Sequence, residues 1–259
     1  MAYATGGAIN RVGGPGGQAI KEESSTQKAP LGEKIELGDG RCFRYAKSAA
    51  AIEIAHLVAQ DVSAGQLIEL DSTTTVSCTA GEREFSITGS GSQLSTTAGF
   101  YNDSYLIISD GTAAGEYHHI KSHTTAASDK ITFTLYDPVT TAFVAASGVS
   151  IVGNPYGAGI TAVGASPSIT TDSFVIGATV VAVQSGYYFW AQTRGVCAIQ
   201  LDEDNASSPA QGAEMIVSAN HIGQTEAKLD AEDGRQTIGH HVGSASDADD
   251  YTGVFLSIE

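Results

Sequence analysis

An all-β chain is expected from this sequence: an extended N-terminal arm followed by two small β-sandwich or barrel units, with at most one short helix. Three observations predict it. From Gln66 onward, short apolar runs alternate with Gly, Asp, Ser and Thr, and pairs such as Asp110-Gly111, Asp137-Pro138 and Asn154-Pro155 stop them. Only 16% of residues are charged, a composition that gives long helices little support. Charge is also unevenly divided. Up to Lys47, seven bases face five acids (net +2), whereas the remainder carries six bases and 24 acids (net −18).

The first segment, 1–47, reads as the arm. It is loaded with glycine (Gly6, Gly7, Gly13, Gly14, Gly16, Gly17) and has almost no apolar run before Ile35. Such a stretch cannot bury enough surface to fold alone, so Ala2 to about Ala29 is expected to be disordered in the free protein. Lys34 to Tyr45 gives two short alternating runs around Asp39-Gly40, a hairpin signal where the arm would first dock. Ala46 to Gln60 is the one helix candidate, because alanine favours helix and Ile52, His56 and Val58 fall near one face; its tail could equally start a strand.

The body then divides into a β domain over 48–164 and a C-terminal small β-barrel over 165–259, the boundary falling in the small, polar stretch Ala162 to Thr171. In the first unit Gln66 to Leu70 and Thr73 to Cys78 are extended. Tyr105 to Ser109 pairs across Asp110-Gly111 with Tyr117 to Lys121, and Val149 to Val152 follows. Lys130 to Tyr136 puts Ile131, Phe133 and Leu135 on one face. In the second, strands are expected at Phe174 to Ile176, Thr179 to Val183, Tyr188 to Thr193, Val196 to Leu201, Ala213 to Ser218, Thr237 to Val242 and Val254 to Ile258.

Signatures of chemistry are missing. The chain has no GxSxG, no Walker loop and no HExxH, and Gly14-Pro15-Gly16-Gly17 has no strand before it to make a dinucleotide fingerprint. Cys42, Cys78 and Cys197 are odd in number and widely spaced, which fits reduced thiols packed as small hydrophobes. Adjacent histidines such as His118 and His119 point to opposite faces of a strand, so they cannot share a metal. The acidic turns Asp202-Glu203-Asp204 and Asp247-Asp249-Asp250 lack EF-hand spacing and read as solvated loops rather than calcium sites. Nothing selects two of the 29 acids as a glycosidase pair. No enzyme, metal or cofactor is expected. A net charge of −16 opposes nucleic acid. The longest near-apolar run is too short for a membrane helix, and MAYATGGAIN carries no secretory signal.

Two stretches, Lys34 to Gln60 and Gly99 to Gly157, resemble capsid decoration (cement) proteins of tailed bacteriophages, particularly of marine phages. GYYFWAQTRGVCAIQL with IGHHVGSASDADDYTGVFLSIE is similar to the small barrel of such proteins, where a Trp-Gln strand (Trp190, Gln192) leads through a turn to a second strand. The resemblance implies a virion protein, made in the host cytoplasm, that clamps neighbouring major capsid subunits on the outer surface of an icosahedral head as a homotrimer. Its N-terminal arm would be laid across the shell.

The residues expected to bind the capsid are Ile9, Val12 and Ile20 in apolar grooves and Arg11 and Lys21 against acidic shell. Tyr187, Tyr188 and Trp190 are expected at subunit contacts, because so aromatic a strand cannot bury both faces in one small core. The competing readings are a tail fibre or receptor-binding subunit, a virion-associated carbohydrate hydrolase and a cell-surface β module. The first lacks its repeats and the last its signal peptide.

Overall fold

A computed structural model describes residues 17–60, 67–70, 75–88, 99–125, 130–143, 148–157, 159–163, 174–202, 209–229, 234–243 and 250–259. Among them the chain is all-β, with 17 strands in two sheets and no helix. Strands β1 (Lys34–Glu36), β2 (Cys42–Lys47) and β3 (Leu57–Gln60) come first. Then follow β4 (Leu67–Leu70), β5 (Thr75–Ser77), β6 (Glu84–Thr88), β7 (Tyr105–Ile108), β8 (Tyr117–His123), β9 (Lys130–Leu135) and β10 (Val149–Val152). The last are β11 (Ile160–Ala162), β12 (Phe174–Thr179), β13 (Tyr188–Gln200), β14 (Glu214–Val217), β15 (Thr225–Ala227), β16 (Thr237–His241) and β17 (Tyr251–Ser257).

The division into compact units differs from the expected succession of 1–47, 48–164 and 165–259. One unit joins the two ends of the chain, Met1–Asp61 with Gly159–Glu259, and the other is the intervening Val62–Ala158. The stretch after Gly17 is part of the first unit rather than an arm. Ser24 exchanges backbone hydrogen bonds with Tyr188 (2.9 and 2.8 Å), and Ile20, Ala29, Ile35 and Leu37 are buried around Phe43, Tyr45 and Trp190. These apolar residues are too scattered to form a core alone. They become one only when β2 pairs with β13, in the register Trp190↔Tyr45. The helix expected over Ala46 to Gln60 is replaced by the end of β2, a loop and β3, whose four residues are all buried. Alanine's helix preference loses here to tertiary hydrogen bonds: the N–H groups of Ala49 and Ile52 donate to the carbonyls of Ile160 and Val183.

In this first unit the strand order is β11-β3-β12-β13-β17-β16-β14-β15, with β2 on β13 and β1 on β2. The expected break between Tyr188 to Thr193 and Val196 to Leu201 is a bulge inside one 13-residue strand. Arg194 is registered with Cys42 on β2 and with Ser257 on β17, so the partner changes there. Gly195 follows at φ 86°, and a Cβ on it would meet Arg41 Cγ at 2.8 Å. The run β13-β17-β16-β14-β15 returns on itself through a parallel bridge between Leu201 and Thr225. Ile199, Met215, Val217, Ile238, Val254 and Leu256 pack within the same core cluster. Phe255 O presses so closely on Gly239 that a Cβ there would lie 2.0 Å from it.

The second unit is an antiparallel sheet in the order β4-β10-β7-β8-β9-β6-β5. The Asp110-Gly111 hairpin forms as expected, with Tyr105 opposite His119. Along β9, Ile131, Phe133 and Leu135 are buried while the residues between them are not. Phe85 stacks on Phe133 at 5.1 Å, and Leu106, Ile108, Ile120, Val149 and Ile151 complete the core.

Candidate functional site

Strand alternation gives β13 and β17 an outer face that is unexpectedly apolar. Cys197 and Ile199 point inward, leaving Val196 and Ala198 outward, while on β17 the outward residues are Tyr251, Gly253, Phe255 and Ser257. Val196 lies opposite Phe255, and the two are 56% and 45% exposed. Beside this face a cavity of about 430 Å³ opens between Ile54, Val180, Val196, Ala198 and Tyr251, with Lys21 and Arg41 also lining it. No acid is among its described lining residues, in a chain with 29 acids and 13 bases.

Each side of the groove is held in place. Arg41 Nε donates to Asp39 Oδ2 at 2.8 Å, and the guanidinium sits 5.9 Å from the Phe43 ring. Slight burial works to raise the Asp39 carboxyl, but hydrogen bonds and charge from Arg41 hold it below the usual range. Ala55 adopts φ 61°, a left-handed conformation unusual for alanine. Its N–H donates to Thr179 O at 3.0 Å and its carbonyl accepts from Gln200 N at 3.2 Å. Cys197 underlies the groove, and burial pushes its thiol up to about 12, so it is no nucleophile at neutral pH. All three cysteines are buried free thiols.

A second cluster lies at the end of β13. Asp202 is buried, and its carboxylate accepts hydrogen bonds from Ser218 Oγ and, at 3.0 Å, His221 Nδ1. The three residue types are those of a hydrolytic triad, but the order is wrong. Catalysis needs an imidazole nitrogen against the hydroxyl so that it can take the proton. Here the hydroxyl donates directly to the carboxylate, and its oxygen accepts the N–H groups of Asn220 and His221 at 3.1 and 2.9 Å. That is the wiring of a turn. Glu226 pairs with Arg235, and burial, with the nearby Asp202 adding to it, pushes its carboxyl up. An open cavity of about 650 Å³ is lined by Glu53, His56, Gln200, His221 and Gln224. Asp202 is therefore a buried structural acid rather than part of a solvated turn. Among the described residues no three His, Cys, Asp or Glu side chains are placed to hold a metal ion.

In the second unit, Tyr105, His119 and Tyr136 form a stack with centroids 5.0 and 4.6 Å apart. A sugar platform needs ring faces open to solvent, whereas each tyrosine has one face against His119, which is stacked on both sides. Tyr136 donates to Asp103 Oδ1 at 2.8 Å, and that bond, with burial, pushes its hydroxyl up to about 12. Glu116, a half-buried acid, is held below its usual range by a hydrogen bond from Thr141 and then, against a small desolvation effect, by Thr140 and His118. A general acid needs the opposite shift.

The residues singled out from sequence are dispersed. Ile9, Arg11 and Val12 lie outside the described residues. Ile20, expected in a capsid groove, is fully buried in this chain's own core, while Lys21 is exposed at the groove. Trp190, expected at a subunit contact, is also fully buried: it lies 4.8 Å from the Tyr45 ring, and its Nε1 donates to Gln18 O at 3.3 Å. The segment after Gly17 covers the face that was expected to need a neighbour. Tyr187 and Tyr188 are half-buried, with Tyr188 stacked 5.9 Å from Tyr45.

The groove residues Ile54, Val196 and Tyr251, and Phe255 on the face beside them, were not singled out, although YTGVFLS carries a signal. Tyr251 and Phe255 fall on one face and Val254 and Leu256 on the other, so the strand is apolar on both sides. No family model, curated protein or solved structure matches this chain.

Proposed function

We propose that this chain is a virion structural protein that decorates the outer surface of an icosahedral phage head as a homotrimer, clamping neighbouring major capsid subunits. The observation that carries this reading is a preformed, base-lined apolar groove on an otherwise acidic β scaffold, a surface suited to docking rather than to turnover. The phrases in Lys34 to Gln60 and Gly99 to Gly157 that resemble cement proteins support it, as does a net charge of −16, which disfavours the DNA-facing side of a shell. The Ser218–Asp202–His221 wiring weighs against a triad hydrolase.

The test is to add purified protein to undecorated heads of the phage that encodes it and to image them by electron cryomicroscopy. Density at local three-fold positions on the outer surface is expected. Bare heads at saturating protein, or density at the tail alone, overturn the reading.

A further inference from the structure

We infer that the groove between Ile54, Val180, Val196 and Tyr251 is a docking site for an extended, acidic segment of a partner protein that inserts one aliphatic side chain between carboxylates. The groove itself stands on its own geometry; naming the major capsid protein as the partner rests on the decoration reading.

Three observations converge on this occupant. At about 430 Å³ the cavity has the size of a binding pocket. Exposed Val196, Ala198 and Tyr251 of the β13–β17 face line it, so a segment can lie across that face with one side chain inserted. Its chemistry is apolar at the floor and cationic at the side, where exposed Lys21 stands near Arg41, whose own charge is met by Asp39 at 2.8 Å. Lys21 is exposed and has no ion pair among the described residues, which leaves its ammonium available to a carboxylate. The walls are also ordered before any partner arrives, because Asp39, Phe43 and Gly195 fix Arg41 and the left-handed Ala55 is tied to Thr179 and Gln200. Preorganisation of this kind lowers the ordering cost of binding. Unusual backbone held by its surroundings is also commoner at binding sites than elsewhere.

Charge separates this occupant from the chain's own first residues. Residues 1–16 carry Arg11 and no acid, so laying them in the groove sets base against bases.

The full-length protein is titrated into two short fluorescein-labelled peptides, one alternating leucine with glutamate and one alternating leucine with lysine, and into a third peptide of residues 1–16. Anisotropy should report binding of the leucine–glutamate peptide alone. Lys21→Glu and Val196→Asp should each weaken it by about tenfold. Both replace exposed side chains, so their melting temperatures should match the parent, and Lys21→Glu should shift preference toward the lysine peptide. Equal binding of the acidic and basic peptides, no effect of either substitution, or preference for the 1–16 peptide overturns the assignment. Self-association abolished by Val196→Asp in place of peptide binding does so as well.

The same variants are then offered to bare heads. If the parent binds the acidic peptide but not heads, the decoration reading falls and the groove stands. If heads take up both variants as tightly as the parent, decoration stands and the groove is not its fastener.

Discussion

The two units reach all-β structure by opposite routes. The unit over Val62–Ala158 is one continuous stretch, whereas the other joins the two ends of the chain. Their outer faces differ in the same sense. On β9 the outward positions are Thr132 and Thr134, and Ser86 and Thr132 hydroxyls meet at 3.0 Å across β6 and β9. On β13 and β17 the outward positions include the exposed Val196, Ala198, Tyr251 and Phe255 beside Gln200 and Ser257. The second unit pairs strands adjacent in sequence at β5–β6, β7–β8 and β8–β9, and its outer face is polar along β9. The unit whose core joins the two ends of the chain carries an exposed apolar patch at Val196, Tyr251 and Phe255.

The largest test of this contrast is Trp190→Ala. Truncating a fully buried tryptophan costs about 3–5 kcal/mol, and the loss should fall on the unit containing Tyr45 and Gln18. Hydrogen exchange should show β2 and β13 losing protection while β7–β9 keep theirs. Equal loss in both sheets breaks the two-unit description.

Next in size is removal of the segment first read as an arm. A chain begun at Leu31 lacks Ile20, which is fully buried, and Gln18, which accepts the Tyr45 hydroxyl at 2.7 Å. Burial of one isoleucine side chain is worth about 1.5–3 kcal/mol. The melting transition of this unit should therefore drop. An unchanged transition shows that the segment is an appendage after all.

That segment also shows why one unit was more legible in the sequence than the other. The Asp110-Gly111 hairpin and the alternation of Lys130 to Tyr136 are local signals, and their strands pair with neighbours. Ile20, Tyr45 and Trp190 carry no local signal of belonging together, because Ser48 and Tyr187, which bond just beyond them, are 139 residues apart. With its cover invisible, Trp190 looked like a contact for another subunit. The groove was hidden for the same reason: Lys21, Arg41, Ile54, Val196 and Tyr251 converge only in three dimensions.

A smaller effect is expected at the C-terminal Glu259, which accepts from Arg44 Nε at 3.0 Å and from Thr193 Oγ1 at 2.9 Å. Burial opposes ionisation, but Arg44 and Thr193 prevail and hold its carboxyl below the ordinary 4.5. A folded pKa held low gives stability that is present above the unfolded value and lost as pH falls through the folded one. Glu259→Gln should thus cost about 0.5–1 kcal/mol at neutral pH for this partly exposed pair, and less in acid. A cost that grows on acidification contradicts the assignment.

The smallest effect belongs to the other unit. His123 Nε2 accepts Tyr101 N–H at 3.0 Å and its Nδ1 faces Thr124 O at 2.9 Å, an arrangement for neutral imidazole. Burial pushes its pKa below the ordinary 6.5. The unit's stability should therefore be full above 6.5 and decline as pH falls through the folded pKa. His123→Asn should flatten that slope when unfolding is followed in β7–β9, and a slope unchanged by it sinks the assignment.

The long strand β13 also imposes a schedule on synthesis. Residues 62–158 leave the ribosome as a complete set of partners and can fold at once. The first 61 residues cannot, because β2 must wait for Tyr188–Gln200 to be made. Ser48 precedes Tyr187 by 139 residues, a wait of about 7–28 s at about 5–20 residues per second. Through that interval Ile20, Phe43 and Tyr45 are uncovered on a nascent chain, and a chaperone that binds apolar segments should be found on its N-terminal 61 residues.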